Sequence, residues 1–254
     1  ERIKAVYDDK ENHDYNEVEA TLLQDTYDGF VRSGALLPED KQEQLKELNQ
    51  QSSTLSPEFS NNVTKSSAQY ELRITDVADL SGIPDTALDS AKQAATEKGY
   101  DGEWLFTLDF PSYIPLMTYA DKREIREKVW KAFSNRGYGG EFDNTPTLKT
   151  IVSLRQQKMA LMGYKLYSDF VLEDRMAKTT DTVLQFLNKL KATYKPAAEK
   201  DLKELQAFAK DTADINELMP WDVGYFAEKR KVSLFDFSDE EIGEMNQQHY
   251  QGML

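Results

Sequence analysis

The sequence contains no cysteine and only two histidines. Without cysteine, disulfides, thiolate metal sites and cysteine nucleophiles are excluded. His13 and His249 are followed by Asp14 and Tyr250, so neither begins a His-Glu-x-x-His motif, which places two zinc ligands on one helix face. We therefore interpret both as surface histidines and predict no metal ligand and no catalytic residue in this chain.

Other catalytic motifs are missing as well. No Gly-x-Ser-x-Gly segment marks a serine nucleophile. The segment Gly137-Tyr138-Gly139-Gly140 lacks the lysine of a phosphate-binding loop, and we interpret it as a flexible connection between helices. The 45 acidic residues are spread along the predicted helices, which is typical of solvated faces rather than of a carboxylate metal site.

Long apolar runs are missing too, so no membrane-spanning segment is predicted, and no signal peptide is visible at Glu1. The net charge is −14, from 31 basic and 45 acidic residues. This balance argues against nucleic acid and anionic membranes as partners, because both require a basic surface. We expect a soluble protein, cytoplasmic or periplasmic. Since the chain starts with Glu1, we expect it to be a piece of a longer protein.

The stretch from Ile114 to Ala177 carries the clearest helical pattern. It predicts two amphipathic helices joined by a glycine-rich loop, with a third helix beginning near Leu166. Asn144 or Thr145 is expected to cap the second helix, and Gly163 to end it. The apolar faces are predicted to contain Ile125, Val129, Trp130 and Phe133 in the first helix, and Leu148, Ile151, Val152, Met159 and Met162 in the second.

Start and stop signals place further helices along the chain. Prolines inside two of them predict a kink or break near Ser56, before Pro57, and a kink or split at Pro196. The predicted helices run from Asn16 to Gly34, from Leu37-Pro38 onward, from Pro84 to Gly99, from Thr180 or Asp181 onward with Val183, Leu187, Leu190 and Tyr194 on one face, from Pro220 onward, and from Ser238 onward.

Only two segments show the residue alternation that is typical of β-strands. Tyr70–Thr75 and Trp104–Leu108 are predicted to pair as an antiparallel ribbon, which must pack on helices to be stable. The fold class is therefore mainly α: one continuous body over residues 1–254, made of long, partly kinked antiparallel helices with a small two-stranded β-ribbon. The aromatic residues expected in its core are Trp104, Tyr113, Trp130 and Trp221.

Several segments are similar in sequence to segments of a known family. They are Met117-Thr118-Tyr119-Ala120-Asp121, Arg123-Glu124-Ile125-Arg126, Phe142-Asp143-Asn144-Thr145-Pro146, Leu154-Arg155, Leu161-Met162-Gly163-Tyr164, Arg175-Met176-Ala177, Phe30-Val31-Arg32-Ser33-Gly34-Ala35, Tyr194-Lys195-Pro196-Ala197-Ala198-Glu199 and Met219-Pro220-Trp221-Asp222-Val223. The chain resembles the thimet-oligopeptidase and peptidyl-dipeptidase family of zinc metallopeptidases over nearly its whole length. Its sequence is most similar to that of the bacterial peptidyl-dipeptidases. From Gly243 onward, the sequence departs from that of the family.

The resemblance implies a parent enzyme with two helical lobes around a deep channel. Such an enzyme cleaves short peptides and releases C-terminal dipeptides or internal fragments. The family's zinc ligands and catalytic glutamate lie in a C-terminal half that has no counterpart here. The chain is thus expected to be the incomplete N-terminal lobe, an inactive wall of the channel. Zinc is expected only in the parent enzyme, and the expected partners are the catalytic half and short peptides. No substrate-binding residue is assigned.

The residues, considered apart from the family resemblance, leave two alternative functions open. The chain can be a stand-alone, non-catalytic helical scaffold or peptide-binding module. It can also be an oligomerisation domain, although its leucine and aromatic seams are more simply explained by intramolecular packing and by docking on a missing half.

Overall fold

The computed structural model describes residues 1–235. The helix start predicted at Ser238, and His249, lie outside the described residues. Within them, the fold is mainly α with one small antiparallel ribbon, as the sequence predicts. The helices are α1 Arg2–Asp8, α2 Glu17–Arg32, α3 Glu39–Ala68, α4 Asp85–Glu97, α5 Phe110–Tyr119, α6 Arg123–Ser134, α7 Thr145–Leu161, α8 Tyr167–Leu172, α9 Thr180–Ala213 and α10 Pro220–Phe235, and the strands are β1 Leu72–Ile74 and β2 Trp104–Phe106.

The chain divides into two compact units. The first unit is Glu1–Phe59 with Thr145–Leu184, and the second is Ser60–Asn144 with Gln185–Leu254. The division falls inside two long helices, α3 and α9. The expectation of one continuous helical body stays a prediction.

Side chains that link different helices hold the first unit together. The rings of Tyr7 on α1 and Tyr27 on α2 stack with centroids 3.8 Å apart. Lys158 on α7 donates to the Asn49 side chain on α3 over 2.9 Å. Arg32 at the end of α2 donates to the carbonyl of Phe170 on α8 over 2.9 Å. These contacts connect helices that the sequence alone places only one after another.

The second unit contains the main hydrophobic core. The ribbon pairs antiparallel with Arg73 opposite Leu105, and the alternating pattern of β1 turns its two terminal residues inward. Helices α4, α5 and α6 cover the ribbon. The buried residues of this core are Leu72, Ile74, Leu80, Ile83, Ala91, Phe106, Leu108, Tyr113, Leu116, Ala120, Ile125 and Val129.

Local end signals appear where the sequence predicts them. Asn16 and Glu19 form a complete capping box at the start of α2. After α7, Tyr164 N–H donates to the Met159 carbonyl and Gly163 N–H to the Ala160 carbonyl, which is the Schellman pattern. Gly163 has the positive φ, +84°, that this pattern requires.

The first predicted helix of the Ile114–Ala177 stretch is, however, two helices. The chain leaves helical geometry after α5 and re-enters it at Arg123. Asp121 N–H donates to the Ser81 carbonyl over 2.9 Å instead of continuing the helix. A contact with a distant loop therefore overrides the local helical periodicity.

The predicted breaks at the two prolines are absent. Helix α3 runs through Pro57 and helix α9 through Pro196. A proline removes one hydrogen bond, and the bonds on either side of it hold each helix. Whether either proline bends its helix stays a prediction.

The predicted seam of α7 is only partly buried. Met159 is buried, but Leu148 and Val152 are 51% and 57% exposed. Among the predicted core aromatics, Tyr113 and Trp221 are buried. Trp104 is half-buried against the main core, and Trp130 is half-buried beside Trp221, at 5.6 Å between ring centroids. No described helix is both long and apolar enough to cross a membrane.

Candidate functional site

The two histidines do not form a site in the described residues. His13 is exposed, and its Nε2 lies 3.1 Å from the carboxylate of Asp9, four residues earlier in the chain. Over residues 1–235, no three His, Asp or Glu side chains come together in a way that could hold a metal ion. The absence of metal ligands from the whole chain stays a prediction.

The glycine-rich segment connects α6 to α7. Asn144 N–H donates to the Gly137 carbonyl over 2.8 Å, and Gly137 N–H donates to the Ser66 hydroxyl over 3.2 Å. Gly137 has φ +70°, and a Cβ there would lie 2.9 Å from Nδ2 of Asn144. These bonds hold Gly137 in place, and the interpretation of the segment as a flexible connection stays a prediction.

The densest buried charges of the second unit surround Asp222. This carboxylate is completely buried and accepts from two arginines of α6. Arg123 donates from Nε and Nη2, the latter over 2.6 Å. Arg126 donates from Nη2 over 3.0 Å. We call these three residues the Asp222 cluster.

The local sequence explains how Asp222 comes to lie there. Pro220 is the first residue of α10, a position where its missing N–H and fixed φ are favourable. Asp222 follows in the first turn, where the helix dipole favours a carboxylate. Its Oδ2 accepts from Met219 N–H over 3.0 Å, which satisfies an unpaired donor at the helix start.

Arg126 connects three parts of the second unit. It is only 1% exposed. Besides Asp222, its guanidinium donates to the carbonyls of Ala120 over 2.7 Å, Asp121 over 3.2 Å and Trp221 over 3.2 Å. The same group lies 3.9 Å from the centre of the Tyr225 ring. One side chain thus fixes both the turn between α5 and α6 and the first turn of α10.

The protonation state of Asp222 follows from this environment. Burial alone would raise the pKa of the carboxyl, but the hydrogen bonds from Arg123, the Met219 amide and Arg126 outweigh it, so the pKa is lowered. The cluster therefore remains an ion pair at neutral pH.

A second carboxylate lies at the edge of the cluster. Asp121 accepts from Ser81 over 2.7 Å, from Tyr225 over 2.8 Å and from Lys229 over 3.2 Å. Burial would raise the pKa of Asp121, but these three partners lower it overall. Burial, and then the hydrogen bond to Asp121, raise the pKa of Tyr225 to about 12.

Tyr225 predicts a loss of stability in strong base. In the unfolded chain, the phenol ionises with a pKa of about 10, whereas in the folded chain its pKa is about 12. A raised folded pKa favours the folded state below the unfolded value, and this contribution disappears as the pH rises from about 10 to about 12. We expect the free energy of unfolding to fall more steeply over this window in the unmodified chain than in Tyr225→Phe, measured by urea unfolding at several pH values. Equal slopes would show that Tyr225 does not contribute.

The arrangement around Asp222 can position helices. Its carboxylate and guanidinium groups are paired with one another or with backbone carbonyls. Its evident role is to fix α10 on α5 and α6.

Residues 116–252 match the model of peptidase family M3, which is more than half of the chain. The chain belongs to peptidase family M3. This confirms the resemblance that the sequence motifs indicated.

Relatives of this family M3 chain have peptidase names. Oligopeptidase A of Haemophilus influenzae is 35% identical over 243 residues, which is 94% of this chain and 36% of that protein. Oligopeptidase A of Escherichia coli is 38% identical over 218 residues, 84% of this chain and 32% of that protein. Dipeptidyl carboxypeptidase of Escherichia coli is 26% identical over 242 residues, 95% of this chain and 36% of that protein. The chain thus spans about a third of the length of these relatives.

These identities correct one expectation. The sequence was expected to be most similar to bacterial peptidyl-dipeptidase, but the oligopeptidases A are more similar to it than the dipeptidyl carboxypeptidase is. The motifs therefore identified the family but not the more similar of these relatives.

The Asp222 cluster lies inside the part that matches the family M3 model. Its residues occur in two segments that carried the resemblance, Arg123-Glu124-Ile125-Arg126 and Met219-Pro220-Trp221-Asp222-Val223. Sequence reasoning did not pair them, because almost a hundred residues separate them. The available signal was that Asp222 is the one charged residue in the otherwise apolar segment Met219-Pro220-Trp221-Asp222-Val223.

Proposed function

We infer that this chain is the N-terminal lobe of a zinc metallopeptidase that hydrolyses short peptides, and that it forms one wall of the substrate channel. The family M3 match carries this proposal, together with the relatives' names. Because the chain spans only about a third of those relatives, the catalytic half and the peptide substrates are partners that we assign to the longer protein. Release of C-terminal dipeptides is the mode that the name dipeptidyl carboxypeptidase suggests.

Zinc would bind outside the described part of this chain. Three nitrogen, oxygen or sulfur ligands and an open position for water are needed for catalysis by zinc. His13, the one histidine among residues 1–235, is exposed beside Asp9, and no group of three suitable side chains surrounds it. The described residues therefore do not fit a catalytic zinc ion, and the role we assign to them is steric. A wall of helices limits access to short, unfolded peptides.

The isolated chain is expected to cleave no peptide and to bind no stoichiometric zinc. The measurement is metal analysis together with a panel of short peptides, with and without chelator, using Escherichia coli oligopeptidase A as the active control. Chelator-sensitive cleavage by the isolated chain would contradict the assignment of a purely steric role.

A chimera tests the positive half of the proposal. The segment of Escherichia coli oligopeptidase A that this chain matches is replaced by this chain. We expect chelator-sensitive peptide cleavage from the chimera, because a compatible lobe restores the channel. A folded chimera without activity would instead favour a stand-alone scaffold or peptide-binding module.

A further inference from the structure

Helix α9 presents an apolar surface that is uncovered over half of its length. Phe186, Leu187, Leu190 and Tyr194 are 60%, 51%, 36% and 64% exposed. We call these four residues the α9 stripe. They recur at helical spacing on one face, and all four lie in the second unit. Four large apolar side chains in a row on one helix are more than the scattered exposure of an ordinary surface.

The same face of α9 is covered farther along. Leu187 and Leu205 lie a whole number of turns apart, at about 3.6 residues a turn. Leu205 and Ala209 are buried against Phe226 of α10. Helix α10 therefore covers the C-terminal half of this face, and the α9 stripe is its uncovered continuation.

Helix α10 runs antiparallel along α9 toward the α9 stripe. Arg230 of α10 pairs with Glu204 of α9 over 2.6 Å. Farther on, a groove of about 480 Å³ is lined by Leu202 and Ala198 from α9 and by Leu234 and Phe235 from α10. The last described residue of α10 is thus close to the point where the cover of α9 ends, and residues 236–254 continue from there.

The charges beside the α9 stripe favour an acidic partner. In this acidic protein, residues 185–198 contain three lysines and no acidic residue, namely Lys189, Lys191 and Lys195. On a helical projection, Lys189 and Lys191 flank the stripe on its two sides. Among the described residues, neither of these two lysines has an ion-pair partner, whereas Lys195 pairs with Glu199.

The sequence that follows α10 has the complementary chemistry. Residues 236–245 contain the acidic residues Asp236, Asp239, Glu240, Glu241 and Glu244 and the apolar residues Phe237, Ile242 and Met245, and residues 236–254 contain no lysine or arginine. We propose that residues 236–245 of this chain bind the α9 stripe, with their apolar side chains on the stripe and their carboxylates beside Lys189 and Lys191. The proposal does not depend on the peptidase role.

Thiol labelling tests this inference, because the chain has no cysteine. A maleimide probe is applied to Leu190→Cys. If residues 236–245 cover the stripe about nine-tenths of the time, labelling is about tenfold slower than when they are released. Reversing three acidic residues, Asp239→Lys, Glu240→Lys and Glu241→Lys, is expected to give this tenfold acceleration. The matched control reverses three exposed acidic residues of the second unit elsewhere, Asp89, Asp101 and Glu124, and is expected to leave the rate unchanged.

A second test exchanges the charges beside the α9 stripe with those of residues 236–245. Lys189→Glu with Lys191→Glu is expected to accelerate labelling, although new carboxylates by themselves disfavour the neighbouring thiolate. Combining this pair with the three acid-to-lysine changes is expected to restore slow labelling. The proposal fails if the acid reversal does not change the rate. It also fails if slow labelling of Leu190→Cys, without further substitutions, depends on protein concentration, because a second copy of the chain then covers the α9 stripe.

Discussion

Replacing Asp222 by alanine is expected to lower the free energy of unfolding of the second unit by about 3–5 kcal/mol. The reason is the position of Arg126, which is 1% exposed and loses its only carboxylate partner among residues 1–235. Arg123 is 37% exposed at its side chain, so water can replace its lost contact. Arg126 has no such access, and a buried charge without its counter-ion is among the most costly defects that a mutation can create.

Tryptophan fluorescence during urea unfolding is the appropriate measurement. The chain has three tryptophans, Trp104, Trp130 and Trp221, and all of them belong to the second unit. The signal therefore reports the unit that contains Asp222. A midpoint that moves without a change in slope is a change in stability alone.

Two control variants separate the buried ion pair from other effects. Glu199→Ala removes an exposed partner of Lys195 and is expected to change stability by less than about 0.5 kcal/mol. Asp222→Asn keeps the shape and an accepting oxygen, so its loss should lie between those of the other two variants. If Asp222→Ala costs no more than Glu199→Ala, the cluster does not hold α10 in place.

Local signals in the sequence were enough to place most helix ends. Asn16 with Glu19 at one end of a helix, and Gly163 at the end of another, act through contacts within a few residues. Such contacts can be predicted from residue spacing, because the capping residue and the backbone groups that it satisfies are close together in the sequence. Alternation placed the ribbon strands, because successive residues of a strand point to opposite faces.

Contacts between residues that are far apart in the sequence could not be predicted in this way. The end of α5 depends on the bond from Asp121 N–H to Ser81, and Arg126 meets Asp222 only after the chain has folded. Periodicity also shows which residues share a helix face, but not what covers that face. Leu187 and Leu205 lie on the same face of α9, yet the first is exposed and the second is buried.

Replacing Gly82 by alanine is expected to destabilise the second unit nearly as much as the loss of Asp222, because the turn beside the Asp222 cluster leaves no room for a side chain. Gly82 has φ +83°, a conformation that costs a residue with a side chain about 1–2 kcal/mol. A Cβ at this position would also overlap the carbonyl oxygen of Tyr119 and lie 2.8 Å from Cγ of Asp121. Neither obstacle is a flexible side-chain end, since one is backbone and the other is held by Ser81 and Tyr225.

Gly102→Ala is a closely matched control. Gly102 has φ +84°, and nothing lies within 4 Å of a Cβ built there. Both variants therefore carry the same backbone cost, and the difference between them isolates the steric overlap. We expect Gly102→Ala to lose about 1–2 kcal/mol of unfolding free energy, and Gly82→Ala to lose a further ~1–3 kcal/mol, as overpacking typically does. Tryptophan fluorescence during urea unfolding measures both losses. Equal losses would mean that the turn yields at little cost. The hydrogen bonds that Ser81 and Tyr225 donate to Asp121 would then be a consequence of the fold around the cluster rather than a support for it.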